Sequence, residues 1–535
     1  MGFVDYRSAM ENSSSGHLKR KLTRRDFSIG SGMLLAGLCF APPLTSHAAQ
    51  GRPAKGGIYP FKLGIASGDP TPTGVVLWTR LAPKPLTSGG GMPAEQFEVS
   101  FVVAADEAMT KVVASGRAVA GPEWAHTVHV EVEGLQPDTW YWYQFQFGDH
   151  MSPKGRTRTM PAADADPERL RFAFVSCQNY EWGYFTAFDH LARENPDLVV
   201  HLGDYIYENG PHKERPRQHN SDTCVTLEDY RARYAQYKTD PMLQRAHEVA
   251  PWIVTWDDHE VANNYAGLVP KVAAPTREFA RRRAAAYQAY FEHMPLRRMS
   301  LPSGSDMLLY RGFEFGKLAS FHVLDTRQYR TIQPMAEGFH PMSPKMLSPK
   351  GTILGERQRT WLLGRLSNTK AAWNVIAQQV MVAPIDYKAG NEIGLNPDKW
   401  SGYENDRRNL IRHLQSAKTP NPVIITGDIH CHWANEIAND FDGETAVPVA
   451  VELVGTSISS DGDGEADSKR NQTLMRENPC VKFRNKQRGY VMCEVTRGGL
   501  KADFKTLPYI SRKGAPLETA ASFVIESGKP RLNRV

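Results

Sequence analysis

The sequence predicts a mixed α/β protein: a small all-β front at 56–161 and a larger, layered α/β body at 168–510. Three observations lead there. From Phe61 to Pro161, short strand-like runs alternate with turn signals. Past the Pro/Ala/Asp stretch at 161–167, short apolar runs alternate with helix-compatible segments, the pattern of stacked strands and helices. And 535 residues are too many for one compact core, so two domains are expected. A composition of 41% apolar and 23% charged residues excludes a disordered, collagenous or coiled-coil chain.

The first residues stand apart from both domains. Lys19-Arg20-Lys21-Leu22-Thr23-Arg24-Arg25-Asp26-Phe27 is basic, Ile29 to Phe40 is apolar, and Ser46-His47-Ala48 offers a small-x-small cleavage site. That order is a signal peptide, assigned to 1–48. The Thr-Arg-Arg-Asp-Phe string resembles the twin-arginine signal, which exports folded proteins, so the twin-arginine machinery is an expected partner and the location is periplasmic or secreted. The segment carries six Lys/Arg and three Asp/Glu, so its loss leaves +3 of the formal +6. No later apolar run is long enough to cross a bilayer, so no transmembrane segment is expected in the mature chain. No Lys/Arg cluster beyond the leader suggests a nucleic-acid footprint, so no nucleic-acid-binding module is expected. Cys39 falls in the leader; the five remaining cysteines are too few and too odd in number for a disulfide framework. Pairing among Cys224, Cys431, Cys480 and Cys493 stays open.

In the front domain, 75–78, 97–103 and 127–132 read as strands. Leu135-Gln136-Pro137-Asp138-Thr139-Trp140-Tyr141 resembles the corner of fibronectin-type sandwiches, where the tyrosine hydroxyl bonds back to the backbone. In the body, 172–175, 198–202, 252–256 and 423–426 read as buried strands, and 277–292, 356–366 and 403–416 as helices; 305–325, 445–455 and 488–506 are strand-rich. Residues 511–535 are set apart as a C-terminal tail.

Ligands in open α/β sheets bind beyond the carboxyl ends of strands. Here every such end is followed by metal-capable groups: Ser176-Cys177-Gln178, Gly203-Asp204-Tyr205-Ile206-Tyr207-Glu208, Asp257-Asp258-His259-Glu260 and Gly427-Asp428-Ile429-His430. This order resembles the calcineurin-like metallophosphoesterases. With Leu324-Asp325-Thr326-Arg327-Gln328-Tyr329-Arg330 and the preceding small β domain, it resembles the alkaline phosphatase D family within them.

The resemblance implies an N-terminal fibronectin-like β-sandwich followed by a layered α/β metallophosphoesterase domain with a two-sheet core. It implies hydrolysis of phosphate mono- or diesters by a metal-activated water, for phosphate scavenging outside the cytoplasm. It implies one Fe³⁺ with one or two Ca²⁺ ions. The implied ligands are Cys177, Asp204, Tyr207, Asp258, Asp428 and His430; the assignment of each carboxylate to each ion stays open. Ser176-Cys177-Gln178, Asp258 and Asp428 stand where the wider superfamily usually has Asp-x-His, Asn and His; Cys177 and Tyr207, as thiolate and phenolate, suit ferric iron, while the carboxylates suit calcium. The implied catalytic residues are His259, as proton donor to the leaving group, with Asn264 and Arg327 holding phosphoryl oxygens.

Each residue has an ordinary alternative. Cys177 reads also as a small buried residue, Tyr207 as a packed aromatic, and Asp258 as a helix cap. His259 reads also as a histidine held by a carboxylate, and Arg327 as a structural pair. Arg281-Arg282-Arg283 reads as a solvated helix face. Residues 398–403 and 461–464 read as rim loops, and 456–460 as a loop with no nucleophile-elbow pattern. The competing functions are a phospholipase D-like or cell-wall-polymer phosphodiesterase on the same fold, a conventional two-metal acid phosphatase, and an inert binding module; the last predicts a broken metal set.

Overall fold

The computed structural model describes residues 57–271, 274–439 and 446–535; the leader expected at 1–48 lies outside them. In chain order the front contributes β1 (Ile65–Thr71), β2 (Gly74–Arg80), β3 (Phe97–Ala104), β4 (Val112–Ala120), β5 (Thr127–Glu133), β6 (Trp140–Phe147), β7 (His150–Met151) and β8 (Gly155–Arg158). The body follows with β9 (Leu170–Val175), α1 (Thr186–Arg193), β10 (Leu198–His201), α2 (Leu227–Lys238), α3 (Pro241–Glu248), β11 (Trp252–Val254) and α4 (Arg277–His293). Next come β12 (Arg311–Phe315), β13 (Ala319–Val323), α5 (Gly355–Asn368), β14 (Trp373–Ala377), α6 (Glu404–Ser416), β15 (Pro422–Thr426), β16 (His432–Ala438) and β17 (Pro448–Val454). The chain ends with α7 (Lys469–Glu477), β18 (Val481–Asn485), β19 (Arg488–Val495), β20 (Gly499–Leu507), β21 (Glu518–Glu526) and β22 (Asn533–Arg534).

Two sheets make the core. One runs β22-β21-β20-β19-β9-β10-β11-β1-β2-β5 and the other β12-β13-β14-β15-β17-β16-β18. Strands buried on both faces read as unbroken apolar runs, and successive side chains point opposite ways. So Phe172 and Phe174 of β9 meet Phe321, Val375 and Ile425 of the facing sheet, while Ala173 and Val175 turn to the helix layer of α1–α4. On the second sheet Ile376 and Ile424 turn outward to Leu362, Leu410 and Leu474 of α5, α6 and α7. The result is the layered α/β body expected from the sequence, with the two-sheet core that the resemblance implies, helices outside and strands within.

The front folds as a sandwich of β1-β2-β5 against the sheet β4-β3-β6-β7, with β8 on β6, around Val75, Leu77, Val99, Val103, Val130 and Phe145. The corner tyrosine acts as expected: the Gln136 N–H donates to the Tyr141 hydroxyl at 2.8 Å. The sandwich shares backbone with the body, because β1 pairs in parallel with β11, with Gly68 opposite Trp252. A buried ion pair, Arg311 Nη2 to Asp69 Oδ1 at 2.6 Å, crosses the same seam. Residues 511–535 place β21 antiparallel on β20, with Ala502 opposite Phe523. All five described cysteines are free thiols.

Lys238, the last residue of α2, is buried over Trp78 of β2, its Nζ 4.1 Å from the ring centre and 5.3 Å from that of Tyr205. Burial pushes its ammonium down to about 7. An unfolded lysine stays charged to about 10.4. Between these values the unfolded chain holds the extra proton, so stability rises with pH there, by at most about 1.4 kcal/mol per pH unit, and the full cost is present below about 7. Lys238→Met is expected to raise the denaturation midpoint at neutral pH and to flatten that rise; a slope identical to the wild type would assign the titration to another group. Tyr141→Phe is expected to cost about 1 kcal/mol in urea denaturation, the worth of one hydrogen bond.

Candidate metal centre

The ends of four strands build the site. The register sets Val175 beside His201 and His201 beside Val254, so the segments after β9, β10 and β11 emerge together. The segment after β15 arrives from the second sheet, and two glycines let these segments touch. A Cβ on Gly203, at φ +109°, would meet Asp257 N at 2.4 Å; one on Gly427 would meet Ser176 Cβ at 2.8 Å. That is the physical content of the two Gly-Asp motifs. The residues that follow turn into the left-handed region: Cys177 at φ +58°, Asp204 at +58°, Asp428 at +64° and His430 at +52°. Such conformations cost energy for residues with a Cβ and gather at functional sites.

These turns bring the predicted ligands together. One ligand atom each from Cys177, Asp204 and His430 lies within 4.8 Å of the others. The Tyr207 hydroxyl sits among them, 3.1 Å from Asp204 Oδ2 and 3.1 Å from His430 Nε2. Two more groups of the same compactness follow, Asp204–Asp258–His259 and Asp257–Asp258–Asp428. Because Asp204 and Asp258 are each shared, the three groups form a row.

The donor set fits metal. Asp204 is 2% exposed and has no lysine or arginine ion pair among the described residues. Burial drives its pKa well up, and the neighbouring Asp258, Glu260 and Asp428 add to that against His259. Burial and Asp204 likewise raise the Cys177 thiol and the Tyr207 phenol far above their ordinary values. Buried Asp257 Oδ2 has no hydrogen-bond partner among the described residues. Acidic groups packed this way stay ionised only against a cation, and the soft–hard mixture of thiol, phenol, imidazole and carboxylate is a transition-metal set beside an oxygen-only set.

The oxygen-only side already carries fixed positive charge. Arg327 is fully buried behind the ligands. Its Nε pairs with Asp257 at 2.5 Å, its Nη1 with Asp398 at 3.1 Å, and its Nη2 reaches Asp428 at 3.4 Å and Asp258 at 3.7 Å. Lys399 pairs with Asp428, and Arg330 holds Asp398 at 2.8 Å. Burial would raise Asp258, but Arg327, His259 and the Asn264 N–H bring it down to about 2. So 398–403 is no rim loop: the segment is buried, with Asp398 and Lys399 in the floor of the site. Of 281–283, Arg281 is exposed as a solvated face would have it, but half-buried Arg282 donates to the Tyr230 hydroxyl at 2.9 Å, and buried Arg283 donates to Gly267 O at 2.7 Å and steadies the turn after Asn264.

His259 is held by Glu208, Nδ1 to Oε2 at 2.6 Å, and its ring lies 4.1 Å from that of Tyr207. The bond to Glu208 leaves Nε2 as the nitrogen without a protein partner among the described residues. The Asn264 N–H donates to Asp258 Oδ2 at 2.5 Å. Its side chain borders a cavity of about 240 Å³ lined also by Lys271, Gln333, Met335, Phe339 and Lys399. Glu260 ties the floor together by accepting the N–H groups of Asp204, Tyr205 and Asp257.

Sequence reasoning missed Asp257, Glu208, Asp398 and Lys399. The first two stand inside the motifs, one beside Asp258 and one closing the Gly-Asp-Tyr-Ile-Tyr-Glu run, so a local signal existed. Asp398 lies 71 residues from Arg327, and nothing local announces that pairing.

Comparison with known proteins agrees with this geometry. Residues 172–504 match the model of the PhoD-like phosphatase family and residues 46–161 that of the PhoD-like phosphatase N-terminal domain. The chain is 45% identical over 520 residues to alkaline phosphatase D of Bacillus subtilis (strain 168), covering 96% of this chain and 89% of the relative. A solved structure described as PhoD superposes with a TM-score of 0.87 at 47% identity, over 89% of this chain and 92% of that one. A shorter stretch of 87 residues, 15% of this chain and 18% of the relative, is 36% identical to purple acid phosphatase 23 of Arabidopsis thaliana. With both family models matched in sequence order and a metal-fitting donor set where the strands end, the chain belongs to the PhoD-like phosphatases.

Proposed function

We propose that this enzyme is an exported, metal-dependent alkaline phosphatase with phosphodiesterase activity that scavenges phosphate outside the cytoplasm. The observation that carries the reading is the row of three donor groups joined by Asp204 and Asp258. Cys177, Tyr207, Asp204 and His430 would hold Fe³⁺, with Asp204 shared. Asp258 and Asp428, with Asp257 beside them, would hold one or two Ca²⁺ ions. The bound ions would activate water and neutralise the phosphoryl oxygens. The Thr-Arg-Arg-Asp-Phe leader supports export by the twin-arginine route.

The remaining steps belong to the chain. His259, fixed by Glu208, presents Nε2 as proton donor to the leaving oxygen. Asn264 holds a phosphoryl oxygen from the edge of the cavity. Arg327, its N–H groups turned to carboxylates, acts as a positioning residue that sets the spacing of Asp257, Asp258 and Asp428. The apolar wall of Met335 and Phe339 beside Asn264 and Lys399 suits the alcohol arm of an ester. That wall is what keeps a lipid or cell-wall-polymer diester alongside a simple monoester.

The first test is hydrolysis of p-nitrophenyl phosphate and of bis(p-nitrophenyl) phosphate at alkaline pH. Both are expected to turn over, to stop on chelation and to resume with calcium on iron-loaded protein. Hydrolysis of the diester alone selects the lipid or polymer reading, and activity indifferent to chelation ends the metal reading. Chelation is also expected to lower the melting temperature, since ions that bind only the folded state stabilise it. His259→Asn is expected to slow an alkyl phosphate by about 10²-fold or more, the usual worth of a positioned proton donor. The loss should be smaller for the p-nitrophenyl ester, whose leaving group needs no proton. Equal losses on both would make His259 a structural residue.

A further inference from the structure

One turn, Ser457–Asp461, touches every member of the Cys177–Tyr207–His430 group from behind. The Ser460 hydroxyl is 2.7 Å from the Tyr207 hydroxyl and 2.8 Å from Cys177 O. The Ser459 and Ser460 N–H groups also point at Cys177 O, at 3.4 and 3.3 Å. Asp461 Oδ2 accepts from His430 Nδ1 at 2.7 Å, leaving Nε2 aimed at Tyr207. Asp461 holds φ +68°, a strained conformation for a residue with a Cβ.

Arg488 clamps this turn. It is fully buried and has no carboxylate ion pair among the described residues. Nη1 donates to Ser457 Oγ at 2.7 Å and to Ser460 O at 2.5 Å, and Nη2 to Lys486 O. The acidic groups facing its charge are Cys431, Asp461, Cys177 and Tyr207. A guanidinium buried beside a thiol and a phenol favours their ionised forms.

We propose that the Ser457–Asp461 turn, clamped by Arg488, is the outer shell of the Cys177–Tyr207–His430 donor set, with Ser460 and Asp461 as positioning residues that tune the bound metal. The proposal rests on the reading of that set as a ferric site. Asp461 fixes the His430 tautomer and raises the basicity of Nε2, the usual service of a carboxylate behind a ligating imidazole. Ser460 has one proton and two oxygens in reach. With Tyr207 neutral it can give that proton to Cys177 O; with Tyr207 ionised, its hydroxyl becomes the donor to the phenolate and draws electron density from it.

The test reads metal, not turnover. Full-length mature protein and the variants Asp461→Asn, Ser460→Ala and Asp463→Asn are loaded with ferric iron. Iron retained against a competing chelator is measured, together with the visible absorption from phenolate and thiolate to iron. Asp461→Asn is expected to weaken iron retention about 10- to 100-fold. Ser460→Ala is expected to move the absorption to longer wavelength, because an unbonded phenolate gives up charge more easily. Asp463→Asn is the control: Asp463 accepts the N–H groups of Ile510 and Ser511, not a ligand, and should leave both readings unchanged. Wild-type retention and absorption in the first two variants would overturn the proposal. A wild-type protein that takes up no iron would overturn the ferric reading beneath it. Equal changes in all three variants would mean general loosening and would also overturn the proposal.

Discussion

Concentrated negative charge, buried where strands end, is the constraint around which this molecule is arranged. Asp204, Asp257, Asp258 and Asp428 are all withdrawn or nearly withdrawn from water, and mutual repulsion in a medium of low dielectric would drive them to protonate or the site to open. Two devices answer this. On one side Arg327 and Lys399 supply fixed positive charge, themselves held by Asp398. On the other, Asp204 has no lysine or arginine ion pair among the described residues, and its near neighbours are a thiol, a phenol and the imidazoles of His259 and His430. An imbalance of that kind, set in a rigid floor, is what a bound cation relieves.

The rigidity comes from the sheets. Side chains on β9, β10 and β11 alternate between the inter-sheet core and the helix layer, so a slip of one residue would invert both faces. The strand ends therefore arrive with fixed spacing, and β15 brings the fourth from the opposite sheet. The left-handed residues at Cys177, Asp204, Asp428 and His430 are the local cost of turning side chains back over those ends. The surrounding packing imposes them, as strain at functional sites requires.

The front of the chain is tied to this scaffold more tightly than a linker-joined module would be. β1 extends the catalytic sheet through β11, and Arg311 pairs with Asp69 beneath. Lys238 and Trp78 pack across the same seam. A disturbance of the sandwich is thus transmitted by backbone hydrogen bonds to a strand that ends in Asp257 and Asp258.

Much of this was legible in the sequence because it depends on neighbours along the chain. Apolar runs announced the buried strands, the helical segments fell within a few residues of α4, α5 and α6, and the Leu-x-Pro-x-Thr-x-Tyr string announced the corner that Tyr141 makes. The order of Gly-Asp and His-bearing strand ends named the ligand candidates, since a strand followed by a polar turn is a local fact. Tertiary structure alone decided the rest. Arg327 faces four carboxylates rather than the cleft, Asp398 and Lys399 lie in the floor rather than on the rim, and a serine-rich loop stands behind the thiol, phenol and imidazole. Each of these pairings joins residues tens to hundreds apart through the contact of two sheets, and no period or motif along a chain encodes which distant charges will share one buried volume.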